Sequence, residues 1–262
     1  MYQKGSNVEP KIDLTKSGNK LITNLLGPAS KNVGKALGNI TEVIEVATLP
    51  LKLMSQYLKV NIEMYSNKIK NIPIDKIRKV EPEIAIPIIE KLSYTSNEII
   101  ADIYTTLLAK ASSIDTINLV HPGFINKINS MAPVEAQFLK YIEENNTLEI
   151  DYIVCKAEEE DDFEYISPKY TLISKELNVS PEMFEVYLDN LCSLSILEDC
   201  KDEYNTKTDI FKRIKDLYKE DITEIKEKVK EGYFKKKKFD FDKSYYKVTT
   251  LGKLFIKSCI VK

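Results

Sequence analysis

The side chains of this chain that could do chemistry are few and scattered. Its single histidine, His121, stands before Pro122 at a predicted helix entrance, where the ring can bond backbone groups. As a general base it would need a serine or cysteine nucleophile beside it, and the sequence places none there. The four cysteines, Cys155, Cys192, Cys200 and Cys259, fall at wide spacings that suit neither a paired zinc motif nor a disulfide framework. Buried free thiols are the expectation. Adjacent carboxylates such as Glu143-Glu144 and Asp161-Asp162 lie in polar stretches and read as solvated faces. The sequence carries no glycine-rich phosphate loop, no Gly-x-Ser-x-Gly elbow, no His-Glu-x-x-His and no dinucleotide fingerprint. These residues predict a protein without a catalytic site, a metal or a cofactor, one that acts by binding rather than by chemistry.

Charge narrows the partners. Lys and Arg total 38 against 40 Asp and Glu, so any polyanion contact needs a local patch. The candidate is Lys235, Lys236, Lys237 and Lys238, flanked by Phe234 and Phe239, which could track a phosphate backbone and stack a base.

The elements that would position these groups are mostly helices. Residues 1–20 are polar and predict a loose arm, with an N-terminus that shows no secretory signal, so a cytoplasmic protein is expected. Apolar residues then recur at helical spacing from Val33 to Ala47 and from Leu51 to Ile69, with a break near Pro50. Glu42, Glu45, Pro50 and Lys52 interrupt the stretch best suited to a membrane span. Its mixed charge favours packing in a helical domain over lying on a membrane surface, the other use of such a stripe. Thr95 and Glu98 have capping-box spacing ahead of an apolar stripe, predicting a helix over 96–112. Pro122 and Pro133 each open a further helix.

A strand-like Leu148 to Val154 and an acidic run from Glu158 to Asp162 follow. Lys169 to Leu177 and Pro181 to Leu194 read as a helix-turn-helix, with Ser180 capping the second helix. A charged helix near 208–231, a β-like Ser244 to Thr249 and a closing helix complete the chain. The expected fold is mainly α: a helical domain over 21–115, then a winged-helix-like domain over 116–262 with a small β-hairpin. The second helix carries Glu182, Glu185 and Asp189 and no Lys or Arg, which disfavours a nucleic-acid-binding regulator.

The order of several short phrases is similar to one known family. Pro82, Pro87-Ile88-Ile89-Glu90, Asn97-Glu98-Ile99, Leu107-Leu108-Ala109, His121-Pro122-Gly123-Phe124-Ile125 and Met131-Ala132-Pro133-Val134-Glu135-Ala136 together resemble the abortive infection alpha (Abi-alpha) family of bacterial proteins. Upstream, Leu26-Gly27-Pro28-Ala29 and Leu37-Gly38 also look like it, whereas Ala132 stands where Ser is expected. The resemblance implies defence against bacteriophage by host growth arrest or death, through an unknown protein partner or phage-derived trigger. It transfers no catalytic residue. His121, Pro122, Phe124, Pro133 and Glu135 are its motif positions, expected to be structural.

Overall fold

A computed structural model of the chain describes residues 56–159, 162–201 and 208–260, and the chain divides into two compact units between Ile125 and Asn126. The expected arm, the Val33 to Ala47 stripe, the Pro50 break and the upstream Leu-Gly phrases lie outside the described residues.

The first unit is built on helices α1 (Gln56–Ile69), α2 (Pro82–Leu92) and α3 (Glu98–Ala111). Apolar residues at helical spacing turn one face of each helix inward: Leu58, Ile62, Tyr65 and Ile69 from α1, Ile84, Ile88 and Leu92 from α2, and Ile103, Leu107 and Leu108 from α3 are all buried. Polar groups that enter this core find partners, as buried ones must. The Asn61 amide donates to the Leu92 and Thr95 carbonyls at 2.8 and 3.0 Å, and the Tyr65 and Ser112 hydroxyls bond at 2.7 Å. The start of α3 differs from the expected box on Thr95. Asn97 caps it, its side chain accepting from the Ile99 and Ile100 amides, while the Thr95 hydroxyl donates back to the Lys91 carbonyl of the preceding helix.

Short helix α4 (Gly123–Asn129) carries the chain across the division. The second unit runs α5 (Pro133–Glu144), β1 (Glu149–Glu159), β2 (Asp162–Tyr165), α6 (Leu172–Glu176), α7 (Pro181–Ser193), β3 (Leu197–Asp199), α8 (Thr208–Leu217), α9 (Lys219–Lys230), β4 (Lys238–Val248) and α10 (Thr250–Cys259). Helices α5, α6 and α7 are each followed by a residue in the left-handed region, Asn146, Asn178 and Ser195, which turns the chain sharply out of the helix.

The second unit does not form the expected winged helix. In place of a small hairpin, four antiparallel strands form one sheet in the order β2-β1-β4-β3. Its centre is the pairing of β1 with β4, in register from Glu149 opposite Lys247 to Glu158 opposite Lys238. The acidic run is part of the β1–β2 hairpin, with Glu158 opposite Phe163 and Glu159 opposite Asp162. The basic run leads into β4, with Lys238 its first residue. The charged stretch near 208–231 is two helices, α8 and α9, and the predicted Lys169 to Leu177 helix shrinks to Leu172–Glu176 because Tyr170 bridges Ile153 at the flank of β1. Mainly helical composition survives the correction in part.

The long strands change their buried face along their length. Ile150, Tyr152 and Val154 are buried on one face and Ile153, Cys155 and Ala157 on the other, as the two-residue strand period requires. The second set faces α8 and α9, where Phe211, Ile214, Tyr218 and Ile222 pack with Ile153, Cys155, Phe239 and Phe241. At the opposite end α7 packs on β3 and α5, and Phe138 meets Phe184 edge-on at 5.2 Å.

Helix α10 begins against the turn after α7. The Thr249 side chain accepts from the Gly252 amide at 2.8 Å and donates to the Ser195 carbonyl at 2.7 Å. Any Cβ on Gly252 would collide with the Ile196 carbonyl oxygen and lie 3.0 Å from Val248 Cγ1. Backbone cannot move aside cheaply there, so Gly252→Ala is predicted to cost about 1–3 kcal/mol, an overpacking penalty. Urea unfolding followed by circular dichroism measures it; an unchanged midpoint would show that α10 is free to shift.

Candidate functional site

The motif positions taken from the sequence occupy two helix entrances. At the first, His121 Nδ1 accepts the Gly123 amide at 3.0 Å, and its ring lies 5.7 Å from that of Phe124, which is fully buried. The imidazole thus occupies a backbone donor that the first turn of α4 leaves unpaired. At the second, Pro133 opens α5. Glu135 reaches back to accept the Ala132 amide and also accepts the Asn190 amide at 2.7 Å. Ala132 has no side-chain acceptor, so only the glutamate half of a capping box exists. Asn190, on α7, donates to the Ser130 carbonyl as well, at 2.9 Å. Glu135 therefore pins α7 to the entrance of α5. Burial pushes its pKa up, opposed by those two hydrogen bonds.

The hairpin supplies partners for two of the four lysines of the run, while Lys235 and Lys237 are exposed. Lys236 pairs with Asp162 and Lys238 with Glu158. On the same face, Lys156 bridges Asp242 at 2.8 Å and Glu158 at 3.2 Å, and the Tyr165 hydroxyl donates to Asp242. Phe163 and Tyr165 stack edge-on there at 5.2 Å, each about half exposed. Phe239, expected to stack a base, instead turns to the opposite face and packs against Phe241 and the α8–α9 core.

What the sequence did not announce is a half-buried polar cluster at the other end of that face. Lys169, just ahead of α6, donates to Asp199 at 2.8 Å and to the Tyr246 hydroxyl at 2.7 Å. Its ammonium lies over the rings of Tyr152 and Tyr246 at 5.1 and 4.9 Å, with Glu185 at 3.8 Å. The Tyr152 hydroxyl closes the network by donating to Asp199 at 2.8 Å. Burial, then the Asp199 carboxylate, holds both phenols well above the ordinary tyrosine range. Neighbouring Cys192 is pushed up to about 11, by burial first and then by Asp199 and Asp189, so its thiol stays protonated at neutral pH. The network gathers one cation, two carboxylates and two phenols, all engaged with one another. The only advance signal was alternation: Tyr152 and Tyr246 fall on the same strand parity as Ile150 and Val248.

Cys155, Cys200 and Cys259 are buried and Cys192 is half-buried, all four as free thiols. Among the described residues no group of histidine, cysteine or carboxylate side chains is arranged to hold a metal ion, and no helix is long and apolar enough to cross a membrane.

The family model described as abortive infection alpha matches residues 57–259, which take in part of the first compact unit and nearly all of the second. The chain belongs to that family. No curated protein matches it. A solved structure of an uncharacterized protein from the hydrocarbon-degrading marine bacterium Alcanivorax borkumensis SK2 is similar over 57% of this chain and 99% of that one, at 11% identity and a TM-score of 0.35.

Lys169→Met removes the cation from Asp199 and is expected to cost about 2 kcal/mol, less than for a fully buried pair because Asp199 is partly solvated; denaturant midpoints of variant and parent give the value. For Glu135, a folded pKa above its unfolded value means that the native state holds the proton more tightly. Its contribution is then complete below the unfolded pKa of about 4.3 and is lost as pH rises through the folded value. Melting temperatures of the parent and Glu135→Gln, compared from pH 4 to pH 8, should show the parent's advantage shrinking as pH rises. A constant gap would mean that Glu135 does not titrate in this window.

Proposed function

We propose that this chain is an antiphage protein of the abortive-infection type that works inside the bacterial cell by binding a protein partner or host structure, not by catalysis. The observation that carries the reading is the family match, which takes in residues of both units and nearly all of the described architecture. The state of the polar residues supports the second half of it. Lys169, Asp199 and the two tyrosines bond to one another, and Cys192 is held as a thiol, an arrangement suited to fixing a sheet rather than to activating a nucleophile.

The test is expression in a phage-sensitive bacterium, scored by plaque formation over a broad panel and by culture survival at high and low phage dose. Plaque counts should fall for at least one phage, and at high dose the culture should collapse without releasing progeny. An unchanged plaque count across the panel would remove the defence reading. Tyr152→Phe and Cys192→Ser separate binding from chemistry: both should keep full protection, and loss of protection by a stably folded Tyr152→Phe would point to a reaction instead.

A further inference from the structure

Strand β4 is longer than the strand beside it. On the side away from β1, β3 covers only Tyr246 to Val248, and one further bond, from the Cys200 amide to the Tyr245 carbonyl at 3.0 Å, ends that ladder. Backbone groups of an antiparallel strand point to alternate sides, so those of Phe239, Phe241 and Lys243 share the outer side with the Tyr245 carbonyl. Among the described residues no backbone group pairs with them there. The Phe241 amide is met by the carboxylate of its own neighbour, Asp240, at 2.8 Å. Such an open edge is a template for a further strand. Lysines line it on the α8–α9 face: Lys243 lies over the Phe211 ring at 5.7 Å, Lys215 of α8 over Phe241 at 3.7 Å and Lys226 of α9 over Phe239 at 5.8 Å. Among the described residues no carboxylate comes within ion-pair distance of these three. Burial, and then the Lys243 ammonium, push the Lys215 pKa down, with Asp240 opposing.

We infer that the open edge of β4 from Phe239 to Lys243 takes an extended acidic segment of a partner protein as an added strand. Three features select that occupant. The edge presents both amides and carbonyls, which suits a peptide that offers both in return over a nucleic-acid backbone, whose phosphates only accept. The lysines on its α8–α9 face attract acidic side chains and repel basic ones. The third feature is a pairing already present on the same edge. β3 sets Glu198 opposite Lys247, and the two side chains bridge at 3.3 Å. Lys243 has the same strand parity as Lys247, so a strand that continues the line of β3 sets an acidic residue opposite Lys243 in the same way. Asp240 holds the place of the incoming carbonyl until that strand arrives. This deepens the proposed protein-binding reading by naming the chemistry of the partner, and it rests on that reading.

The experiment titrates the full chain in a calorimeter with a capped octapeptide of alternating valine and glutamate. Its valine–lysine counterpart, a version with two valines replaced by proline, and an oligothymidylate of equal length are the comparisons. The valine–glutamate peptide should bind, with affinity falling as salt rises. The lysine peptide should fail on charge, and the proline version should fail because proline has no amide to donate. Lys243→Glu should weaken binding about tenfold or more, since it sets like charges opposite one another. Amide hydrogen exchange on the unaltered chain locates the complex without a variant: the Phe239 and Lys243 amides should exchange quickly in the free chain and slowly with the peptide bound. Binding of none of these probes, equal binding of the two charged peptides or of the proline version, tighter binding of the oligothymidylate, or unchanged exchange at Phe239 and Lys243 overturns the inference. Its failure is distinguishable from that of the defence reading: protection without any peptide complex removes the edge, and a complex at the edge without protection against any phage removes the defence role.

Discussion

The antiparallel pairing of β1 with β4 is the constraint on which the rest of the second unit depends. Because side chains alternate across a strand, a ladder running from Glu149 opposite Lys247 to Glu158 opposite Lys238 fixes two faces at once. On one face it aligns Ile153, Cys155, Phe239 and Phe241 for α8 and α9. On the other it brings Tyr152 and Tyr246 close enough for their rings to lie 5.2 Å apart. A slip by one residue would exchange these faces, exposing the first set and driving Lys156 and Asp242 into the helices. Register here carries more than strand stability: it decides which helices have a surface to pack on.

The Lys169 cluster makes sense in those terms. Tyr152 and Tyr246 are wedged where β1, β4 and β3 meet, and their hydroxyls need partners once removed from water. Asp199, at the end of β3, accepts from one, and Lys169 donates to the other while neutralising Asp199. Glu185 accepts the Lys169 backbone amide at 3.2 Å and so ties α7 to the same point. At the far end of this face Lys156 is mostly covered as it bridges Asp242 and Glu158, while the outer partners Lys238 and Asp162 are exposed. The face thus grades from a closed network to an open ladder with Phe163 and Tyr165 at its edge.

How far all this was legible depends on the distance over which each signal acts. Two helix starts were readable because caps are local: Ser180 and Pro181 open α7 and Pro133 opens α5 as their types require. The lengths of β1 and β4 were not. Cys155-Lys156-Ala157-Glu158-Glu159 looks like the beginning of a polar loop until Lys238, 80 residues away, is seen to pair with Glu158. The same distance hid the Lys169 network, whose contacts span 30 and 77 residues. A helix-turn-helix followed by a β-like phrase suggested a winged helix because the phrase order was visible and the long ladder was not. The family motif was legible from short phrases for the opposite reason, since His121 with Gly123 and Ala132 with Glu135 are contacts within a single turn.

The order of the strands also sets a timetable for synthesis. β1 and its hairpin leave the ribosome before β4, so the apolar run Tyr152 to Cys155 lacks its β4 partner while α6 to α9 are made. Such a segment is a template for mispairing between nascent chains. Here the waiting strand is guarded by its own ends: Glu149 and Asp151 lie on one side of the apolar run and Lys156, Glu158 and Glu159 on the other. Charges placed so, ordinary surface residues in the finished sheet, are of the kind that disfavour mispairing of an unfinished strand.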